Sequence, residues 1–156
     1  KNINQVPKII KIVIHRGLGE AVKQSTVLEK TYELFYSITG QKPVFTKAKK
    51  SISNFNLREG QIVGCKVTMR AKKMHHFLSN LVNLSLPKIR DFRGINQRGC
   101  DNSGNFTFGI KDDSIFPQSS TALDRIRGMD ITICTTSTTN EELLFLLDKI
   151  GIPFRD

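Results

Sequence analysis

The segment IVGCKVTMR, residues 62–70, alternates between apolar and polar side chains. Its odd-numbered positions from 63 to 69 are all apolar, whereas the even-numbered positions Lys66, Thr68 and Arg70 are polar or basic. Successive side chains of a β-strand point to opposite faces of the sheet. The pattern therefore predicts a strand with one packed face and one cationic face.

Two longer elements are predicted before this strand. The β-branched and apolar residues of PKIIKIVIH, residues 7–15, predict a strand that ends in the glycine turn RGLGE. Between residues 27 and 38, apolar side chains recur at three-to-four spacing, which predicts an amphipathic helix that stops at Gly40. Short strands are expected around the basic segment that follows.

Further elements are predicted after it. Apolar residues from Met74 to Val82 predict a second amphipathic helix that Pro87 ends. KIRDFRG, residues 88–94, is expected to be a strand or extended segment, and GNFTFGI, residues 104–110, and GMDITICTT, residues 128–136, are expected strands. TNEELLFLLDKIG, residues 139–151, predicts a helix with a capping box and a glycine stop.

This order of elements predicts the fold class. Few of the strands are joined by a helix, so the sheet should be mostly antiparallel, because parallel neighbours need a long crossover. The predicted class is α+β, with the helices packed on one face of the sheet and the other face available. No internal repeat or low-complexity tract is visible, and we expect residues 1–156 to form one domain.

Positive charge is concentrated in the first two thirds of the chain. Residues 1–100 contain 19 Lys or Arg and 5 Asp or Glu, whereas residues 101–156 contain 5 and 9. A solubility role predicts mixed signs everywhere, whereas a polyanionic partner predicts one sign concentrated in one region. Nucleic acid is therefore the leading partner. The basic run TKAKK, residues 46–50, taken alone could also be an ordinary solvated loop.

Several other classes of protein are not supported. No apolar run approaches the about 20 residues of a membrane-spanning helix, and the start of the chain lacks the apolar region of a secretory signal, so we expect a mature, intracellular or trimmed chain. The three cysteines are widely spaced, and the adjacent His75 and His76 cannot form a metal-binding pair one helical turn apart. We expect no disulfide framework, metal or cofactor.

An enzymatic role is not expected either. HRGLGEA, residues 15–21, could be taken for a phosphate-binding loop, but it lacks both the GxGxxG and the GxxxxGK[ST] spacing, and a tight turn into a helix explains it better. The acids Asp112, Asp113, Asp124 and Asp130 have no obvious partner base or nucleophile. Solvated carboxylates in turns account for them.

The polar residues beside the basic run suit a structured RNA. Lys and Arg neutralise phosphates without sequence selectivity, whereas hydroxyl and amide side chains can contact ribose hydroxyls and phosphate oxygens. A basic recognition helix, common in DNA-binding proteins, is not found. The alternative is a freestanding RRM-type module for single-stranded RNA, with Phe106 and Phe108 as a stacking platform, although core-facing positions explain these two residues more simply.

Six segments, taken in order, resemble a known family. They are GQKPVFTKAKKSISNFNLREG, GCKVTMR, LPKIRDFRG, GNFTFGI, RGMDITI and the terminal GIPFRD. Together they are similar to the bacterial-type ribosomal protein L5 family, large-subunit proteins that bind 5S rRNA, and the match runs from QVPKI to the end of the chain. The resemblance implies a structural protein of the central protuberance, with large-subunit rRNA and neighbouring large-subunit proteins as further partners.

The resemblance also implies roles for individual residues. A basic hairpin or loop around residues 46–60 is expected to project toward P-site tRNA. The acidic segment 111–124 is expected to face a protein of the small-subunit head in an intersubunit bridge, unless it is a plain solvated turn. The expected rRNA-binding residues are Arg16, Gln41, Lys42, Lys47, Lys49, Ser51, Lys66, Thr68, Arg70, Arg90 and Arg93. The expected tRNA-facing residues are Lys50, Ser51, Ser53, Asn54, Asn56 and Arg58, and the expected bridge residues are Asp112, Asp113 and Asp124.

The chain departs from the family pattern in two places. Family members usually begin with an additional helix before QVPKI. At the first turn the family has asparagine where this chain has His15, so the contact of that amide is not expected, while Arg16 could add a phosphate contact. Abundant Lys, Ile and Asn, the absence of Trp and the similarity to plastid and cyanobacterial versions favour a chloroplast or related plastid ribosome, with a bacterial cytoplasm as the alternative.

Overall fold

A computed structural model describes residues 2–19, 25–101, 103–119 and 127–155. Its strands form one sheet in the order β2-β3-β1-β5-β4, and every neighbouring pair is antiparallel. The predicted α+β class with a mostly antiparallel sheet is confirmed. The strands are β1 (Ile9–Gly17), β2 (Val44–Lys47), β3 (Ile62–Met69), β4 (Asn105–Ile110) and β5 (Met129–Thr135), and the α-helices are α1 (Ser25–Thr39), α2 (Ala71–Asn80) and α3 (Asn140–Ile150).

The two faces of the sheet differ as the pattern of β3 predicts. The odd-numbered residues from Cys65 to Met69 are buried, whereas Lys66 is exposed. Helix α1 packs on β3 and α2 packs on β1, while Leu143 and Leu147 of α3 belong to the same apolar core. Because the helices cover the apolar face, the polar face is left toward solvent.

Local signals define the ends of the helices. Gly40 and Gly151 have φ angles of 62° and 100°, in the left-handed region that favours glycine, and they end α1 and α3 as predicted. At the start of α3 the hydroxyl of Thr139 accepts a hydrogen bond from the N–H of Glu142 at 3.3 Å. This half of the expected capping box is confirmed, whereas the carboxylate of Glu142 accepts from the N–H of Thr138 at 3.4 Å and not from that of Thr139.

Residues 88–94, which were predicted to be a strand or extended segment, do not form a strand. Helix α2 continues through a π-helical turn (Leu81–Ser85) and a 3-10 turn (Leu86–Lys88), and Pro87 lies inside the second of these turns. Asp91 then adopts a left-handed φ of 53° in a turn. Ile89 and Phe92 both pack against the core three positions apart, which is the spacing of a turn and not of a strand.

The thiol of Cys65 should make stability depend on alkaline pH. Cys65 is fully buried, and burial raises its pKa from 9.0 to about 11. Since the unfolded chain ionises first, this stability is complete below about pH 9 and is lost as the pH rises toward 11. The free energy of unfolding of the native protein should therefore fall over this range by about 2–3 kcal/mol more than that of Cys65→Ala. Chemical denaturation at several pH values measures both curves.

Cys134→Ala provides the control, because Cys134 is only half-buried. In this variant the free energy of unfolding should fall between about pH 9 and 11 as steeply as it does in the native protein. Parallel stability curves for the native protein and Cys65→Ala would contradict the assignment.

Candidate nucleic-acid interface

The sheet face opposite the helices, here called the open face, is polar and faces solvent. Its central row contains Lys66 of β3, His15 of β1 and Asp130 of β5, which the strand register places side by side. Lys66 and Asp130 are exposed, and His15 is half-buried between them. A cation, an imidazole and a carboxylate therefore lie in line across the middle of the sheet.

His15 fits this row because Gly64 has no side chain. A Cβ atom at residue 64 would lie 2.9 Å from Nε2 of His15 and 2.8 Å from the backbone oxygen of Arg16. Real Cβ atoms do not approach other atoms so closely, so the imidazole occupies space that another residue at position 64 would take. The open face therefore has room for histidine at position 15, where the family pattern described above has asparagine.

The next row carries small hydroxyl residues. Thr68 pairs with Val13, Val13 with Thr132 and Thr132 with Thr107, and the hydroxyls of Thr107 and Thr132 are 3.0 Å apart. Short side chains let a ligand approach the sheet closely, and hydroxyls can both donate and accept hydrogen bonds. The row can contact sugar hydroxyls and phosphate oxygens together.

Basic side chains lie within and beside these two rows. Lys66 and the exposed Arg70, one residue beyond the end of β3, were predicted from the sequence, and Lys11 of β1 joins them in a third row beside Cys134. Asp130 is the one acid among the described strand residues of this face. The open face is therefore net positive.

Gln41 lies in the short connection between the end of α1 and the start of β2. Its Nε2 donates a hydrogen bond to the backbone oxygen of Thr68 at 2.9 Å, and its side chain is half-buried. The amide thus replaces a strand partner at the edge of β3, beyond the end of β2. Gln41 fixes this edge, and the neighbouring Lys42 is exposed beside it.

Strands β2 and β3 are joined by a structured projection, here called the β2–β3 hairpin (residues 48–61). At its base, the N–H of Ala48 donates to the carbonyl of Gln61 at 2.8 Å. Near its tip, Ile52 and Leu57 exchange two backbone hydrogen bonds of 2.9 and 3.1 Å. The hydroxyl of Ser51 also accepts from the N–H of Glu59 at 2.9 Å. These bonds cross-link the hairpin at several levels.

The hairpin presents the predicted cationic and polar side chains to solvent. The predicted residues exposed on it or beside it are Lys47, Lys49, Lys50, Ser51, Ser53, Asn54, Asn56 and Arg58. Glu59 is the one acid of the hairpin. Part of the positive charge seen in the first two thirds of the sequence is therefore displayed on this projection.

The structure contradicts the prediction that Arg16 contacts phosphate. Its side chain is 1% exposed, and its Nη2 is 2.8 Å from Oδ2 of Asp113. It also donates to the carbonyls of Arg127 at 3.2 Å and Gly128 at 3.1 Å, and its guanidinium lies 5.4 Å from the ring centroid of Phe35. Burial lowers the pKa of Arg16, whereas the charge of Asp113 opposes that shift. Arg16 therefore links β1 to Asp113 and to residues 127 and 128 in the interior of the protein.

The alternation along β1 could have revealed this position. Ile12 and Ile14 lie on the packed face, and the alternation along the strand places Arg16 on the same face. Arginine is normally a surface residue, and this general preference led to the incorrect prediction that Arg16 is exposed to RNA.

The predicted bridge residues have three different environments. Asp113 is buried against Arg16, so the prediction that its carboxylate faces a partner protein is also contradicted. Asp112 is half-buried, and its Oδ1 accepts from the N–H of Ser114 at 2.8 Å. Asp124 lies outside the described residues.

Arg90 and Arg93 are exposed, but they do not belong to the rows of the open face. They line a groove of about 1110 Å³ between the edge of β4 and the turns that follow α2. The other charged residues of this groove are Lys88, Arg98, Lys111, Arg155, Asp91 and Asp112. The groove is thus a second basic region, and it adjoins the open face, because Thr107 and Gly109 of β4 belong to its lining.

The alternative stacking platform is contradicted by burial. Phe106 and Phe108 are 0% and 8% exposed and face the core. HRGLGEA, residues 15–21, is described up to residue 19; β1 ends at Gly17, and a turn begins at Gly19. Among the described residues there is also no group of three His, Cys, Asp or Glu that could hold a metal ion, and no helix with the length and hydropathy to cross a membrane.

Comparison with known proteins identifies the family of this chain. The family model described as "Ribosomal protein L5" matches residues 2–58, and the model that describes the C-terminus of the same ribosomal family matches residues 62–154. The chain belongs to the ribosomal protein L5 family. The resemblance carried by the six motifs is confirmed, and the family is one of structural proteins and not of enzymes.

Bacterial relatives match almost the whole chain. "Large ribosomal subunit protein uL5" of Trichodesmium erythraeum is 50% identical over 156 residues, covering 99% of this chain and 86% of the relative. The proteins of the same name from Prochlorococcus marinus subsp. pastoris and Heliobacterium modesticaldum are 50% and 51% identical, each covering 99% of this chain and 87% of the relative. The similarity therefore extends to cyanobacteria and to other bacteria.

The first L5 family match ends at residue 58, within the β2–β3 hairpin, and the second begins at residue 62, the first residue of β3. Strands β1 and β2 fall in the first match and β3, β4 and β5 in the second, yet β3 lies between β2 and β1 in the sheet. Both matched regions are therefore needed to form the open face of this L5 protein.

Sequence reasoning missed several polar residues of the L5 open face. Lys11 was visible as the interruption in PKIIKIVIH, but its neighbours across the sheet could not be inferred without the register. Thr107 and Thr132 lie in strands that the sequence predicted, and only their pairing brings the two hydroxyls together.

Proposed function

We propose that this L5-family protein is a structural constituent of the large ribosomal subunit and binds 5S rRNA in the central protuberance. The open face is the observation that carries the proposal. An RNA duplex presents a wide, shallow minor groove lined by ribose hydroxyls, and phosphates border that groove. The hydroxyl row would contact the sugars while Lys11, Lys66 and Arg70 neutralise phosphates. Residues 1–156 would act as one domain.

The proposed rRNA contacts follow the exposed and half-buried polar residues. Arg16 is left out because its guanidinium is committed to Asp113. Arg90 and Arg93 would bind rRNA from the groove beside β4, which allows one RNA or two segments of large-subunit rRNA to be held. The remaining proposed rRNA-binding residues are Gln41, Lys42, Lys47, Lys49, Ser51, Lys66, Thr68 and Arg70.

The β2–β3 hairpin is proposed to contact P-site tRNA. A strand rises about 3.3 Å per residue, so the hairpin can reach roughly 15–20 Å from the sheet. This reach is enough to touch an RNA that the open face does not cover. Lys50, Ser53, Asn54, Asn56 and Arg58 would make the contacts, together with Ser51.

The segment after β4 is proposed to face a protein of the small-subunit head. Asp112 and Asp124 would present negative charge to a basic partner, while Asp113 holds the start of the segment through Arg16. Neighbouring large-subunit proteins would adjoin the same edge. The proposed location is a plastid ribosome, with a bacterial cytoplasm as the alternative, in keeping with the cyanobacterial and other bacterial relatives.

Binding to a 5S rRNA transcript tests the central proposal. We expect saturable binding whose log-log dependence on salt has a slope of about −4 to −7, corresponding to about six to ten phosphate contacts at the lower coefficient of non-duplex RNA. Filter binding or fluorescence anisotropy at several salt concentrations measures the slope. An unrelated folded RNA of similar length is the control, and equal affinity for both RNAs at moderate salt would contradict specific recognition.

A further inference from the structure

We propose that Phe55 stacks on the flat face of a nucleobase at the tip of the β2–β3 hairpin. The inference rests on the proposed contact between this hairpin and RNA, and it adds a binding residue that the sequence did not single out. Phe55 is 77% exposed, so most of its surface is in contact with water. A large apolar surface held away from the core is available for a partner.

The backbone beneath this ring is fixed. Phe55 ends a 3-10 turn (Ser53–Phe55), and Asn56 follows in the left-handed region with a φ of 50°. The N–H of Asn56 donates to the carbonyl of Ser53 at 3.0 Å, and the paired Ile52 and Leu57 close the turn. A preordered tip loses little conformational entropy when it binds.

The surroundings of the ring favour RNA over an apolar protein pocket. Ile52 is 43% exposed, and it is the only other large apolar side chain of the hairpin with that degree of exposure. Lys50, Asn54 and Arg58 of the same hairpin are exposed as well. An aromatic ring among cations and amides is the combination that binds unpaired bases, because the ring stacks while the cations neutralise the flanking phosphates.

A second exposed aromatic provides a comparison within the same chain. Phe145 on α3 is 65% exposed, but Nζ of Lys149 lies 5.2 Å from the centroid of its ring. Its surface is thus partly occupied by a cation of its own helix, and it lies outside the hairpin. Phe145 matches Phe55 in exposure and differs from it in position.

The chain contains no tryptophan, which makes a direct optical test possible. Phe55→Trp would introduce a single indole at the tip, and Phe145→Trp would introduce one on α3. We expect RNA to quench the fluorescence of Phe55→Trp strongly and to leave that of Phe145→Trp unchanged. Deacylated tRNA and the 5S rRNA transcript are titrated separately, so quenching by one of them identifies which RNA supplies the base.

Affinity measurements separate stacking from general apolar contact. Phe55→Ala should weaken binding to the quenching RNA by about 5- to 150-fold, the range expected for loss of one base–aromatic stack. Phe55→Trp should retain the native affinity, whereas Phe55→Leu should lose most of what Phe55→Ala loses. Full affinity in Phe55→Leu would overturn stacking in favour of an apolar contact.

The outcomes distinguish this inference from the proposed function. RNA binding by the native protein without quenching in Phe55→Trp would overturn the stacking role and leave RNA binding by the sheet and the lysines intact. Absence of binding to both RNAs would overturn the proposed function itself, and the stacking role with it.

Discussion

Replacing Arg16 by methionine is expected to lower the free energy of unfolding by about 3–5 kcal/mol, because it removes one partner of a buried ion pair. Asp113 is only 5% exposed, so its carboxylate would remain in the interior without a neighbouring cation. The carbonyls of Arg127 and Gly128 would lose their donor as well. Urea denaturation measures the change. At about 2–4 °C per kcal/mol for a chain of this size, the melting temperature should fall by at least about 6 °C.

Arg70→Met is the matched control, because it makes the same chemical change at an exposed position on the open face. We expect its stability to change by less than about 0.5 kcal/mol, while its salt slope for 5S rRNA becomes shallower by about one unit. Arg16→Met should show the reverse pattern, with a large loss of stability and an unchanged salt slope in the folded protein.

A double-mutant cycle tests the mechanism of this loss. Combining Arg16→Met with Asp113→Leu removes both charges and should recover much of the stability lost in Arg16→Met, because no buried charge is left unpaired. An Arg16→Met variant that is as stable as the native protein but binds 5S rRNA with a shallower salt slope would show that the guanidinium contacts RNA after all.

Replacing Lys47, Lys49 and Lys50 together by alanine is expected to make the salt slope for 5S rRNA shallower by up to about two to three units. The three side chains are exposed at the base of the β2–β3 hairpin, so their removal should change the free energy of unfolding little. The expected effect is a loss of phosphate contacts, and it should appear equally with 5S rRNAs of different sequence. Binding isotherms over a range of salt concentrations measure it.

A triple variant of the open face separates the two surfaces. We expect replacement of Lys11, Lys66 and Arg70 by alanine to make the salt slope for 5S rRNA shallower by a similar amount. Binding to tRNA should be unchanged in this variant. If the hairpin variant alters only the tRNA slope, the hairpin contacts tRNA alone. If neither slope moves in the hairpin variant, its lysines do not grip phosphate, and the proposed role of the hairpin would be wrong.

Some parts of the open face were predictable from single segments. The alternation of residues 62–70 correctly separated the packed side of β3 from Lys66. In contrast, the central row of the face joins Lys66, His15 and Asp130, which are distant in sequence and meet only through the register of β3, β1 and β5. Register depends on which strands are neighbours, and no single segment carries that information.

The sequence by itself determined the features that depend on nearby residues. Periodicity identified the strands and helices apart from the misassigned residues 88–94, and the stops at Gly40 and Gly151 follow from a backbone conformation that glycine adopts without steric cost. The six ordered motifs also indicated the L5 family, because a family pattern is a property of the sequence itself.

Only the tertiary structure decided which charges are available to a ligand. Arg16 and Asp113 are 97 positions apart, and neither residue's local sequence indicates that the other neutralises it. A charged group can be buried only when a partner offsets its lost hydration. The fold supplies that partner, so it removes Arg16 from the binding surface and leaves Lys66 on it, although both residues are basic and lie on neighbouring strands.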